Sequence, residues 1–152
     1  MTCNALTALS ALAVVASSGL AQITFNPSVN IAAGTRPGGV AAADFDGDGD
    51  VDYAVTIDGP DRIQIFNNDG AGGFTAGAVI FTGANTGAGA LVAADLDGDT
   101  DADIAVALQN TNSVAIYTNV GGTFGLAGST AVGANPRGLT AGDMDDDGDL
   151  DL

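Results

Sequence analysis

Asp44-Phe45-Asp46-Gly47-Asp48-Gly49-Asp50-Val51-Asp52 sets a carboxylate at every second position of a nine-residue stretch. The pattern returns as Asp95-Leu96-Asp97-Gly98-Asp99-Thr100-Asp101-Ala102-Asp103. It returns again as Asp143-Met144-Asp145-Asp146-Asp147-Gly148-Asp149-Leu150-Asp151. The three stretches start 51 and 48 residues apart. A fixed period of this size marks a repeat architecture, in which each unit buries its apolar face against the next copy.

The similarity extends outward on both sides. Upstream of each acidic stretch lies a Phe (Phe25, Phe74, Phe124), and nine residues after each Phe a Gly (Gly34, Gly83, Gly133). Pro37 and Pro136 share one offset, with Thr86 in the middle copy. Small apolar runs then lead in: Val40–Ala43, Leu91–Ala94 and Leu139–Gly142. Downstream come strand-like runs, Tyr53–Ile57 and Ile104–Leu108, and polar turns at Asp58–Asp61 and Gln109–Asn112. Second strands follow at Arg62–Phe66 and Ser113–Tyr117, and glycine turns close them. β-branched residues bounded by Gly, Asn and Asp read as strands. No 3.6-residue periodicity is sustained after Ala21. The expectation is an all-β chain with four antiparallel strands per period of about 50 residues, the form of a β-propeller blade.

Alternating aspartates suit a hard cation. Calcium takes six to eight oxygen ligands. Aspartates at positions 1, 3, 5 and 9 of such a loop can surround one ion, and the carbonyl of position 7 can add another oxygen while its carboxylate adds charge. The candidate metal residues are Asp44, Asp46, Asp48, Asp50 and Asp52; Asp95, Asp97, Asp99, Asp101 and Asp103; and Asp143, Asp145, Asp147, Asp149 and Asp151. An EF-hand is excluded, because position 12 is Val55 or Val106 rather than a bidentate acid, and the flanks are strands. Zinc, copper and iron sites call for Cys or His. Magnesium keeps several waters and suits a many-carboxylate cage less well. The copies differ. Thr100 replaces Gly at position 6, where a β-branched residue resists positive φ; Asp146 replaces Gly at position 4. The first loop is expected to bind best.

Composition narrows the function. All 19 acidic residues are Asp, and 16 of them lie in the three stretches. The formal net charge is −16, with Arg36, Arg62 and Arg137 the only cationic side chains. Phosphate backbones and anionic membranes repel such a chain. Disorder is disfavoured, since 46% of residues are hydrophobic. There is no His and no Glu, so no Ser-His-Asp triad can form. Paired aspartates could in principle act as acid and base, but on this spacing they are more simply ligands, and the chain is not expected to be an enzyme.

At the N-terminus, Ala5–Ser17 is an apolar run of signal-peptide length, too short to span a bilayer. Gly19 and Ala21 stand at the −3 and −1 positions before Gln22. Residues 1–21 are therefore expected to be a signal peptide and 22–152 the mature repeats, secreted or at the cell surface. Cys3 falls in the leader, which leaves the mature chain without a thiol and in need of another staple, such as metal.

These residues resemble the FG-GAP/VCBS repeat family, related to the propeller of integrin α chains. Asp44–Asp52 matches its DxDGDGxxD loop. Phe124-Gly125 followed by Gly133-Ala134-Asn135-Pro136 matches its namesake pattern. The resemblance covers about Phe25 to Leu152. It implies blades with structural calcium in hairpin loops on one face, and a role in adhesion, ligand binding or scaffolding. About two and a half repeats are present, fewer than the four blades that close a propeller. Further blades or self-association are expected to complete it, the chain being a fragment or an assembly-dependent piece. A protein or glycan ligand is expected. Two alternatives stand beside this reading. One is a lectin, disfavoured because there is no Trp and Tyr53 and Tyr117 sit at core positions. The other is the non-catalytic repeat region of a secreted hydrolase.

Overall fold

The computed structural model describes residues 32–152. The expected signal segment 1–21, Cys3, Gln22 and Phe25 lie outside the described residues. The eight strands are β1 (Pro37–Ala43), β2 (Asp52–Ile57), β3 (Arg62–Asn68), β4 (Phe74–Phe81), β5 (Ala88–Ala94), β6 (Asp103–Leu108), β7 (Ser113–Val120) and β8 (Thr123–Ala131). They form two four-stranded antiparallel sheets in the orders β1-β2-β3-β4 and β5-β6-β7-β8. The described residues contain no helix, and so none that could cross a membrane.

The two sheets repeat in detail. Ala43 pairs with Asp52 and Ala94 with Asp103, closing the first two acidic loops at the same register. An isolated bridge, Gly142 to Asp151, closes the third in the same way. A register shift lies between Pro37 and Val40 in the first sheet and between Ala88 and Leu91 in the second. Turn residues repeat as well: Asp61 and Asn112 end the β2–β3 and β6–β7 turns at φ 46° and 53°. Asp and Asn tolerate this left-handed region better than most residues do.

The sheets meet through the strands nearest one another in space. β1 lies against β5, whereas β4 and β8 barely touch, so the pair opens outward as a wedge. The close approach needs glycine: a Cβ on Gly39 would fall 2.7 Å from the Gly89 carbonyl oxygen. Thr56 fastens this seam by donating to the Gly89 carbonyl at 2.8 Å and accepting from Gly39 N.

Alternation fills the space between the sheets. Ala54, Ile63, Ile65 and Ile80 of the first sheet meet Leu91, Ile104, Val106, Ala115 and Tyr117 of the second. Phe45, at position 2 of the first acidic loop, is only 1% exposed and meets Phe124 edge-on at 5.9 Å. Tyr53 and Phe74 pack at 5.0 Å, so these aromatic residues serve packing. Phe81 departs from that role and is 70% exposed on β4. The far face of the second sheet carries an apolar groove of about 650 Å³, lined by Val114, Ile116, Val132, Pro136, Leu139 and Leu152 among others.

Candidate metal centre

Each acidic stretch is a hairpin loop whose backbone turns on two left-handed residues. In the first loop these are Gly47 and Gly49, at φ 78° and 93°. In the second they are Gly98 and Thr100, both at 82°, and in the third Asp146 and Gly148, at 61° and 96°. The sequence pattern identified position 6 as a turn, and position 4 proves to be an equal partner. Thr100 adopts the conformation that its branched side chain disfavours, because the flanking strands and the loop's hydrogen bonds fix the path.

The position-1 aspartate organises the turn. Asp44 accepts from Gly47 N at 2.8 Å and Gly49 N at 2.9 Å. Asp95 accepts from Gly98 N and Thr100 N in the same way, and Asp143 from Asp147 N and Gly148 N. The wrapped backbone aims the alternate side chains inward. Asp44, Asp46 and Asp48 present oxygens within 4.8 Å of one another, as do Asp95, Asp97 and Asp99. In the third loop the converging set is Asp143, Asp145 and Asp151.

Positions 7 and 9 do other work in the first two loops. Asp52 and Asp103 are fully buried. Asp52 accepts from Phe45 N at 2.9 Å and Asn68 N at 2.8 Å. Asp103 accepts from Leu96 N and Asn119 N, both at 2.8 Å. Each clamps its loop to the end of the third strand of its sheet. Asp101 accepts from Gly121 N at 2.8 Å, and Asp50 lies against Gly70, the matching residue. These four carboxylates fall outside the converging groups, as do Asp147 and Asp149 in the third loop. Alternation in sequence alone does not separate the two roles.

The convergence is electrostatically unfavourable for bare carboxylates. Burial first, then the carboxylates of Asp52 and Asp48, raise Asp46 above its ordinary pKa. Burial and then Asp103 and Asp99 do the same to Asp97. Asp46 Oδ1 is also buried without a hydrogen-bond partner among the described residues. A carboxylate that converges with two others and keeps one buried oxygen without a hydrogen-bond partner fits a hard divalent cation, which supplies the missing charge.

Asn67 and Asn119 were not singled out by their sequence context, although both are part of the loops' support. Asn67 Nδ2 donates to Asp46 Oδ2 at 2.6 Å. Asn119 is 1% exposed and donates to the carbonyls of Phe45 and Ala102 at 2.9 and 3.2 Å. The faint signal for Asn119 was its recurrence with Asn68 at the same point of the repeat.

A family model described as an FG-GAP-like repeat matches residues 44–106 and again 98–152. No curated relative and no solved structure matches the chain. The two matches begin within the first and second acidic loops and together run from Asp44 through β2–β8 to Leu152, so the chain belongs to the FG-GAP-like repeat family, a β-propeller-like repeat module.

Proposed function

We propose that this chain is a secreted, non-catalytic binding or scaffold module whose acidic loops hold structural calcium. The observation that carries this reading is the convergence of three carboxylates in each loop, with Asp46 Oδ1 buried and unpartnered in the first. In the first loop Asp44, Asp46 and Asp48 would hold the ion; in the second, Asp95, Asp97 and Asp99; in the third, Asp143, Asp145 and Asp151. Three divalent ions would bring the formal net charge from −16 to −10 and offset the burial and crowding that raise Asp46 and Asp97. The alternating oxygens suit calcium better than magnesium, and the absence of His leaves no nitrogen ligand to draw zinc.

Extracellular calcium modules bind at about 10⁻⁴–10⁻³ M, and a tenfold excess over the dissociation constant stabilises by about 1.4 kcal/mol per site. Thermal melting in millimolar calcium should therefore run roughly 10 °C above melting in chelator. Equal midpoints would remove the basis for the calcium role. Secretion rests on the residues 1–21 pattern, and N-terminal sequencing of the exported chain should begin at Gln22.

A glycan-binding role is a second reading, favoured by one feature. A polar cleft of about 540 Å³ includes Arg36, Asp58, Asn85, Gln109 and Asn110 in its lining. Arg36 and Asp58 form an ion pair there; amides beside it suit vicinal hydroxyls, and a glycan array is the direct test.

A further inference from the structure

The structure assigns Asn67, on β3 outside the acidic loops, as a positioning residue for the first metal site. The assignment rests on the calcium reading above. Asn67 Nδ2 donates to Asp46 Oδ2 at 2.6 Å, leaving the buried Oδ1 as the free oxygen of that carboxylate. An amide fixing one oxygen of a ligating carboxylate sets the direction of the other, as outer partners of metal ligands commonly do.

The fit around Asn67 is built for this contact. Its amide oxygen lies against Gly77 of β4, where any Cβ would collide with it. A side chain at position 77 would thus push Asn67 off Asp46. The second sheet lacks both parts of the device. Counting from the clamps Asp52 and Asp103, Thr118 stands where Asn67 does. Counting from the paired Phe74 and Phe124, Ala127 stands where Gly77 does. No hydrogen bond joins Thr118 to Asp97 among the described residues. The two loops carry the same aspartates at positions 1, 3 and 5, so the supporting strand distinguishes them, together with Thr100.

The test is a calcium titration of the full chain followed by amide NMR. Gly47 and Gly49 report the first loop and Gly98 the second. In N67A the first-loop dissociation constant should rise about tenfold or more, the usual effect of losing an outer partner, with the second loop unchanged. The double variant T118N/A127G should tighten the second loop by a comparable factor, and it remains informative if N67A fails to fold. First-loop affinity unchanged in a folded N67A, or equal losses in both loops, would overturn the assignment. So would a high-resolution calcium complex with Asp46 Oδ1 turned away from the ion, onto water in the adjoining cavity of about 40 Å³. If the wild-type chain shows no calcium-dependent shift in any loop, the calcium reading itself falls. That result is distinct from a flat response to N67A on a wild type that binds.

Discussion

Asp103 uses both carboxylate oxygens to hold backbone amides, from Leu96 and Asn119. Its burial is complete, so removing it leaves the buried Asn119 N–H and the part-buried Leu96 N–H without their acceptor. Asp103→Ala should destabilise the chain by about 3–5 kcal/mol, read from urea unfolding, and should do so in chelator as well as in calcium. Thr100 illustrates the opposite case. Held at φ 82°, it stores strain that glycine would not, and Thr100→Gly should raise stability by about 1 kcal/mol in the same assay. The pH response follows from the shifted carboxyls. Asp46 and Asp97 are raised on folding, so their contribution is intact below the unfolded pKa of about 3.8 and is lost as pH climbs through the raised folded value. Asp69 is lowered by the amides of Gly73 and Ala71, so its contribution is present above that pKa and disappears on acidification. In chelator, melting midpoints should fall as pH rises above about 4 and the crowded carboxyls begin to ionise. Asp69→Asn should remove part of any loss on the acid side.

At the scale of strands and loops, Phe45 ties a loop to a core. It sits between the sheets against Phe124, and Phe45→Ala should lower stability by about 3–5 kcal/mol, measured by denaturant unfolding. The strands around it were plain from sequence, because β-branched alternation and Gly or Asn turns are local signals. Tyr53–Ile57 and Ile104–Leu108 differ from β2 and β6 by a single residue at the start. The loops were legible as loops, and the position-1, -3 and -5 aspartates of the first two converge as their spacing suggests. What could not be read was the division of labour inside the acidic pattern. Asp52 and Asp48 look alike in sequence, and only the fold brings Asn68 N to one of them. Asn67 was hidden for the same reason: its partner Asp46 is 21 residues away. Leu139–Gly142 shows a further limit. It repeats the run of β1 and β5, yet pairs only at Gly142, where the third loop closes on Asp151.

Across the whole molecule, charge and apolar surface pull in opposite directions. The net charge of −16 opposes compaction, and it is concentrated in the loops at one end of each sheet. Without divalent ions the chain should melt at higher temperature as sodium chloride is raised from about 10 mM to 0.5 M, since screening shortens the reach of self-repulsion. With calcium bound, that salt dependence should shrink. Differential scanning calorimetry at matched ionic strengths reads both. Linear repeat arrays commonly come apart one unit at a time, because each unit touches only its neighbours. The Asn119 amide changes that expectation here: it reaches across 74 residues to the carbonyl of Phe45 while bracing its own loop through Ala102. Neither sheet can loosen at this corner without releasing a buried polar group in the other. The two units are bound to a shared cooperative fate, and heat should take them apart in one transition.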